Sequence, residues 1–267
     1  MTKKKLINKN ELLDVSTNEK ILEANKFRFH DVPIRVKCLN EKQKELKNLI
    51  ENQEITLVRG PAGTGKTFIS LITALYLMKT NPKYKKLILV KSLVTIEDEE
   101  VGFLPGTLED KLAPFMYSFT GNLDKILGMK ELRKKLFEKE IIEFAPIAYV
   151  RGVTMDDCIV IIDEIQNINM HTFKTIITRI GNNCKMVFLG DVEQIDRKYS
   201  NESCLEKVIK MFYDKDFIGT IEFQSEDCVR NPIIPKILDV LNENDSLSLP
   251  SLSNKHNNYV NDSVKNN

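Results

Sequence analysis

The sequence lacks the features that mark several large classes of protein. It contains no tryptophan and three widely separated histidines, so a zinc site is not supported. No apolar run approaches the roughly 18 residues that a membrane-spanning helix needs. The amino-terminal segment is rich in Lys and Asn and has no apolar signal core. The sequence therefore predicts neither a membrane protein nor a secreted one.

A strong charge of either sign is also absent. The 39 basic and 38 acidic residues leave a net charge of +1. This balance excludes a highly basic nucleic-acid coat protein, so any nucleic-acid binding must come from a local patch. The five cysteines form no Cys-x-x-Cys pair, and several lie in apolar runs, where buried reduced thiols are expected. They favour a cytoplasmic location, which would be the host cytoplasm if a phage encodes the chain.

Short apolar runs indicate the strands of the fold. Four of them cover residues 55–58, 87–90, 158–162 and 186–189, and a fifth strand-like run covers 219–223. The runs alternate with helical segments, which is typical of parallel strands covered on both faces. The sequence therefore predicts an α/β fold with a mostly parallel sheet and helices on both faces.

Composition also predicts the boundaries within the chain. Residues 1–38 form a polar arm with a lysine cluster near its start, and residues 39–245 form the main domain. An insertion of about 93–150 follows the second strand, since the roughly 65 residues between the second and third strands exceed what a crossover needs. Residues 246–267 are rich in Ser and Asn and are expected to be a disordered tail.

A phosphate-binding motif follows the first predicted strand and precedes a predicted helix. It fits G-x-x-x-x-G-K-[ST] in full, as Gly60-Pro61-Ala62-Gly63-Thr64-Gly65-Lys66-Thr67. Its backbone N–H groups and the positive end of the helix would surround phosphates. Lys66 would reach the β and γ oxygens, and the Thr67 hydroxyl would bind Mg²⁺. A structural glycine-rich turn is the alternative, but it does not explain the complete motif in this context.

An acidic pair follows the strand at 158–162. A carboxylate at the carboxyl end of a parallel strand lies beside the phosphate loop of an open α/β sheet. Asp163 would hold Mg²⁺ through water, and Glu164 would orient and deprotonate the attacking water. The alternative for Asp163 is a helix N-cap. Together with the phosphate loop, the pair predicts a nucleoside triphosphatase.

Two glutamines are further candidates for contacts with a nucleotide. The strand at 186–189 leads to Asp191 and Gln194, and Gln194 could sense the γ-phosphate with support from Asp191, although Gly-Asp is also a turn signal. Gln43 lies on the helix before the first strand. Its amide could satisfy the donor and acceptor edge of adenine, and a solvated helix glutamine is the alternative.

At these positions the chain resembles the PhoH family of P-loop ATPases, in its short, phage-like form. The resemblance runs from about residue 39 to 241 and includes motifs that are specific to that family. The matching segments are residues 60–67, 102–106, 145–146, 151–152, 163–167, 178–181, 190–196 and 229–230. One departure is Lys91-Ser92 after the second strand, where family members commonly carry Arg-Pro.

The resemblance has implications for fold, cofactors and partners. The family is similar to the first motor domain of superfamily 1 helicases, which implies a RecA-like P-loop fold with ATP and Mg²⁺ as cofactors. Proposed roles of its members imply single-stranded RNA or DNA as a partner. The resemblance also favours the adenine role of Gln43 and the sensor role of Gln194.

Arginine is scarce, with eight in the chain, and one of them is expected at the γ-phosphate. An arginine placed there can raise the rate by roughly 10³–10⁵. We hypothesise that Arg230, which matches the late Val-Arg of the family, acts from a neighbouring subunit of a homo-oligomeric ring such as a hexamer. Arg151 and Arg179 are the alternatives. For each arginine a surface ion pair is the competing interpretation.

The insertion combines aromatic and basic side chains that could bind a single strand by stacking and charge. The aromatic residues are Phe103, Phe115, Tyr117 and Phe119, and the basic ones are Lys125, Lys130, Arg133, Lys134 and Lys135. Phe115 and Phe119 are four residues apart, which also suits a buried helix face. Core packing is the favoured interpretation.

Two functions follow from these residues and the resemblance. The first is a helicase-like ATPase that hydrolyses ATP to ADP and phosphate and is coupled to single-stranded RNA or DNA. The second is a nucleotide-dependent switch or oligomeric assembly factor without motor activity. A small-molecule kinase is disfavoured, because no acceptor pocket is evident and the acidic pair favours water as the nucleophile.

Overall fold

The computed structural model of the chain describes residues 27–92, 116–191, 194, 203–229, 233 and 237. The strands are β1 (Ile55–Arg59), β2 (Lys86–Lys91), β3 (Ile142–Pro146), β4 (Cys158–Asp163), β5 (Lys185–Gly190) and β6 (Gly219–Glu222). The α-helices are α1 (Glu41–Asn52), α2 (Lys66–Thr80), α3 (Tyr117–Leu127), α4 (Lys130–Glu138), α5 (Ile147–Val150), α6 (Met170–Ile177) and α7 (Leu205–Phe212). Short 3₁₀ turns cover Phe29–Asp31, Ile165–Asn167 and Ser225–Asp227.

The six strands form one sheet in the order β3-β2-β4-β5-β1-β6, and every neighbouring pair is parallel. This confirms the predicted α/β fold of the RecA-like P-loop type. β5 lies between β1 and β4, so the phosphate loop after β1 and the acidic pair after β4 are two strands apart. All carboxyl ends share one edge of the sheet, which is the edge where such sheets bind ligands.

The core has two apolar layers, one on each face of the sheet. Alternate strand residues point to opposite faces, so Val58 belongs to one layer and Leu57 to the other. The first layer contains the buried sides of α1, α2, α3 and α4, and the second contains those of α6 and α7. Helices therefore cover both faces, as the continuous apolar runs predict.

The described part of the insertion contains α3, α4, β3 and α5. β3 pairs with β2 and forms an edge of the sheet. The sequence does not predict this strand, because a half-buried edge strand shows no continuous apolar run. Only Ile142 of β3 is buried, while Glu143 and Phe144 are partly exposed.

The orientation of α3 shows which of its aromatic residues pack in the core and which are free to stack a base. Phe119 is fully buried with Leu123 and Leu127, at intervals of four residues, which confirms core packing for that side chain. Tyr117, on the opposite side of the helix, is 72% exposed. Phe103 and Phe115 lie outside the described residues.

The structure describes part of the predicted polar arm, from residue 27 onward. Val32 and Ile34 are buried there, and the ammonium of Lys79 on α2 donates to the Val32 carbonyl at 2.6 Å. The packed unit thus includes residues that the composition assigned to the arm. The predictions for residues 1–26 and for the tail at 246–267 lie outside the described residues.

The chain divides into two compact units, residues 1–230 and 231–267, whereas composition places the end of the domain at 245. In the second unit the structure describes Ile233 and Ile237, which are helical and exposed.

In the described ranges, no helix has the length and apolar character needed to cross a membrane. Cys158, Cys184 and Cys204 are buried free thiols, as predicted.

Candidate functional site

The phosphate loop closes on itself between β1 and α2. The Lys66 ammonium donates to the carbonyls of Gly60 at 2.5 Å and Pro61 at 2.8 Å. The Thr64 hydroxyl also donates to the Pro61 carbonyl, at 3.1 Å. Gly65 has a φ of +88°, which favours glycine. These contacts hold the lysine ammonium over the loop, where the sequence predicts phosphate binding.

Two segments outside the motif hold the loop in place. The Gln43 amide accepts from the Leu39 N–H at 2.8 Å and donates to the Thr64 carbonyl at 2.9 Å. The Val229 N–H donates to the Gly63 carbonyl at 3.1 Å. Gln43 is 2% exposed, which excludes a solvated helix glutamine. The Gln43 amide has a second N–H and a second lone pair, which could pair with adenine. The adenine contact therefore stays a prediction.

The acidic pair begins with a buried carboxylate. Asp163 is 8% exposed. Its Oδ2 accepts from the Thr67 hydroxyl at 3.2 Å, and its Oδ1 accepts from the Glu164 N–H at 3.0 Å. Burial and the neighbouring Glu164 charge raise the pKa of Asp163 to about 6, against the opposing effect of Lys91. Glu164, rather than Asp163, is the residue that precedes the 3₁₀ turn, so the N-cap alternative for Asp163 does not hold.

Thr67 and Asp163 are suitable ligands for Mg²⁺. They bring a hydroxyl and a carboxylate oxygen together, and Mg²⁺ prefers such hard oxygen donors. Within the described ranges, no group of three His, Cys, Asp or Glu side chains could hold a metal. This is compatible with Mg²⁺ beside a nucleotide, because the ion usually takes one or two carboxylates and completes its shell with phosphates and water.

Glu164 has an unusual backbone conformation and a well-defined side chain. Its φ of +63° is rare for a residue other than glycine and is often found at functional sites. Its Oε2 accepts from the Gln166 amide at 2.6 Å, and its Oε1 lies 3.7 Å from the Lys91 ammonium. The side-chain oxygen Oε1 of Gln166 in turn accepts from the Asp191 N–H at 3.1 Å. Gln166 thus connects the acidic pair with the end of β5.

These elements surround one cavity of about 840 Å³, within the usual range for small-molecule sites. One wall is a face of α3, formed by Tyr117, Ser118, Gly121, Asn122 and Lys125. The cavity residues that the sequence predicts are Gln43, Ala62, Gly63, Gly65, Lys66, Thr67, Asp163, Glu164, Asp191 and Gln194. The structure therefore brings both predicted motifs and both predicted glutamines to one place.

Comparison with known proteins decides the family. A model of the PhoH-like protein family matches residues 35–242. The chain belongs to the PhoH family. Curated relatives include the PhoH-like protein of Bacillus subtilis, 38% identical over 77% of this chain and 63% of the relative. Protein PhoH of Escherichia coli is 34% identical over 74% of this chain and 56% of the relative. The chain thus spans about three fifths of their length.

Solved structures also resemble this PhoH-family chain, at low sequence identity. The large terminase of a thermophilic bacteriophage aligns with a TM-score of 0.44 and 10% identity, over 73% of this chain and 48% of the terminase. The Pif1 helicase of Candida albicans aligns with a TM-score of 0.33 and 15% identity, over 81% of this chain and 46% of the helicase.

The arginine alternatives can be placed in this PhoH-family fold. Arg151 donates to the Thr172 hydroxyl at 3.0 Å, and Arg179 donates to the Thr178 hydroxyl at 3.4 Å. Neither lines the cavity, whose described cationic residues are Lys37, Lys66 and Lys125. Arg230 lies outside the described residues.

Three residues contribute to the site although the sequence predicts no role for them. Gln166 lies within the segment that resembles the PhoH family, so the motif includes it without indicating its link to Asp191. Lys91 and Ser118 lie on either side of residues 93–115, and no sequence spacing indicates that they contact each other, with Lys91 also beside Glu164. Strand order and helix packing bring them together.

Proposed function

We propose that this PhoH-family chain is a Mg²⁺-dependent ATPase that converts ATP and water to ADP and phosphate. The observation that carries the proposal is a single cavity lined by Lys66, Thr67, Asp163 and Glu164. A phosphate-binding lysine, a pair of oxygen ligands and a carboxylate base are the parts that phosphoryl transfer to water requires. Membership of the PhoH family supports nucleotide-dependent activity.

The phosphate loop and the buried aspartate would bind the nucleotide. Phosphate oxygens would replace the carbonyls of Gly60 and Pro61 as acceptors for the Lys66 ammonium. Thr67 and Asp163 would hold Mg²⁺, which neutralises phosphate charge when bound. The Gln43 amide, fixed by Leu39 and Thr64, would offer its remaining N–H and lone pair to adenine.

Glu164 would act as the general base. Its carboxylate lines the cavity beside the phosphate loop, so it can accept the proton of a water aligned with the γ-phosphate. Gln194 lines the same cavity and would contact the γ-phosphate, with Asp191 supporting that segment. Because phosphoryl transfer needs little covalent chemistry from the protein, catalysis would rest on position and charge.

We also propose that single-stranded RNA or DNA regulates turnover. The supporting observation is the face of α3 that lines the nucleotide cavity. Tyr117 is exposed there and can stack a base, and Lys125, two turns further along, can meet a phosphate. A strand bound to this face would touch the helix that forms a wall of the ATP site.

Steady-state ATP hydrolysis with and without each kind of strand tests both proposals. The wild-type chain should turn over, and Glu164→Gln should reduce kcat by about 10²–10⁴-fold. Glu138→Gln, at an exposed position on α4, is the matched control and should leave kcat unchanged. Equal turnover in the Glu164 variant would reject the general-base role, and indifference to both strands would reject strand coupling.

A nucleotide-dependent switch is the second candidate. The Val229 N–H donates to Gly63 in the phosphate loop, and Val229 is the second-last residue of the first compact unit. Phosphate binding that moved Gly63 would therefore act on this segment directly. Assembly that changes with ATP or ADP, measured by light scattering, together with turnover that strands do not stimulate, would favour the switch.

A homo-oligomeric ring would complete the site. Among the described residues, no arginine lines the cavity, so an arginine from a neighbouring subunit could supply positive charge at the γ-phosphate. We infer that Arg230 has this role in a ring such as a hexamer. A monomer at all nucleotide states would reject the ring.

A further inference from the structure

Lys91 ends β2 beside the acidic pair. The parallel register of β2 and β4 places Lys91 opposite Asp163. Its ammonium lies 3.7 Å from Oε1 of Glu164, and the two side chains are 20% and 30% exposed. Partial burial weakens solvent screening, so this charge acts more strongly on Glu164 than a surface lysine would.

A second contact holds the same ammonium. Lys91 donates to the Ser118 hydroxyl at 3.4 Å. Ser118 lies in the first turn of α3 and lines the cavity. The lysine therefore lies between the wall formed by α3 and the acidic pair, and its position depends on both.

The two carboxylate oxygens of Glu164 have different surroundings. Oε2 accepts a hydrogen bond from the Gln166 amide at 2.6 Å. Oε1 is too far from the Lys91 ammonium for a hydrogen bond, which ends near 3.5 Å. Lys91 thus attracts Oε1 without occupying a lone pair, while Gln166 fixes the other oxygen.

We infer that Lys91 is a positioning residue that turns Oε1 of Glu164 toward the attacking water, and that Ser118 sets the position of Lys91. This inference rests on the proposed ATPase function. In the reaction, the water oxygen bonds to the γ-phosphorus as the bond between that phosphorus and the β–γ bridging oxygen breaks. ADP leaves with the bond's electron pair, and Oε1 receives the water proton.

The same strand offers a matched control. Lys86, at the other end of β2, forms an ion pair with Glu143. Neither lysine is among the described residues that line the cavity, but only Lys91 contacts a cavity residue, through Glu164 and Ser118. Lys86→Met and Lys91→Met therefore remove the same charge from one strand, at two distances from Glu164. Lys86→Met also removes a hydrogen bond to Glu143, which Lys91 does not form with Glu164.

The test measures kcat, KM for ATP and the affinity for a fluorescent ATP analogue. Lys91→Met should lower kcat by about 10-fold or more, with KM and affinity changed less than about 3-fold, since positioning acts in the transition state. Lys91→Arg should restore kcat to within about 3-fold of wild type, because it keeps the charge. Ser118→Ala should lower kcat by about 2–5-fold, and Lys86→Met should leave it unchanged.

Contrary outcomes separate this inference from the proposed function. If Glu164→Gln is inactive but Lys91→Met keeps full kcat, Lys91 has no positioning role and the ATPase proposal stands. If Lys91→Met raises KM alone, the lysine contributes uniform binding instead. If Glu164→Gln stays active, the general-base assignment fails. If Lys91→Met does not fold, Ser118→Ala provides the test instead, because it changes an exposed helix position. An unchanged kcat in Ser118→Ala would then reject the positioning of Glu164 through Ser118 and Lys91.

Discussion

The Thr67 hydroxyl donates to the Asp163 carboxylate at 3.2 Å, although the two residues are 96 positions apart in the chain. Thr67 lies in the first turn of α2, after the phosphate loop, and Asp163 ends β4. Their contact joins the two motifs on which the proposed chemistry depends. Because it brings a hydroxyl and a carboxylate together at the edge of the sheet, it also identifies where Mg²⁺ would bind.

Because Asp163 is buried, its ionisation should lower the free energy of unfolding, by an amount that depends on pH. Its pKa in the fold is about 6, against 3.8 for an exposed aspartate. Between these values the folded state binds more protons than the unfolded state, so stability falls as pH rises through this window. Asp163→Asn removes that cost, and without ligands at pH 7 it should raise the free energy of unfolding by on the order of 2–3 kcal/mol.

Urea unfolding at several pH values measures this effect. The gain in Asp163→Asn should shrink below pH 6 and vanish only below about pH 3.8, the pKa of an exposed aspartate. Asp214→Asn, at an exposed position, is the control and should show no such trend. Stabilisation of the wild type by Mg²⁺ and ATP should also decline below pH 6, because metal binding requires the ionised carboxylate. A variant less stable than wild type at pH 7 would contradict the prediction.

Replacing glycine by alanine should lower the free energy of unfolding at Gly65 and raise it at Gly121. In Gly65→Ala the new Cβ would lie 2.8 Å from the Gln43 amide nitrogen, at a φ of +88°. The strain and the disturbed contact should cost about 1–3 kcal/mol and reduce ATP affinity. In Gly121→Ala on α3 the Cβ meets nothing within 4 Å, so the variant should gain about 0.5–1 kcal/mol. The urea midpoints of the two variants, each compared with wild type, measure these effects. A shift in the same direction for both variants would contradict the prediction.

Removing the Gln43 amide should loosen the phosphate loop. Gln43→Ala deprives the Leu39 N–H and the Thr64 carbonyl of their partner, at a cost of about 1–3 kcal/mol if they stay buried. We expect weaker ATP binding and a smaller preference for ATP over GTP in competition titrations. Gln53→Ala removes an exposed contact to the Asp216 carbonyl and should leave both unchanged. An unaltered preference in Gln43→Ala would reject the adenine role.

The arginine hypothesis predicts a separation of binding from hydrolysis. Arg230→Ala should reduce kcat by about 10³-fold or more while nucleotide affinity is retained. Arg151→Ala is the comparison, since Arg151 donates to Thr172 and does not line the cavity in the described part of the chain; it should keep near wild-type turnover. Full activity in Arg230→Ala would eliminate the role. Mixing Arg230→Ala with Glu164→Gln tests action between subunits, because mixed rings should recover activity.

The sequence by itself determined the type of fold and the main chemical groups of the site. The phosphate loop and the acidic pair are contiguous motifs, so their side chains can be identified without tertiary information. Continuous apolar runs likewise indicate parallel strands buried on both faces, as β1, β4 and β5 are. The half-buried β3 has no such run, so the sequence alone does not predict it.

The tertiary structure alone decided which side chains act on which. The order of β2, β4 and β5 places Lys91 and Asp191 on either side of the acidic pair, and the packing of Phe119 orients α3 so that Ser118 reaches Lys91. Burial of Asp163, which raises its pKa, is also a product of packing. Spacing along a chain encodes local conformation, but distances between side chains on different elements depend on how those elements pack.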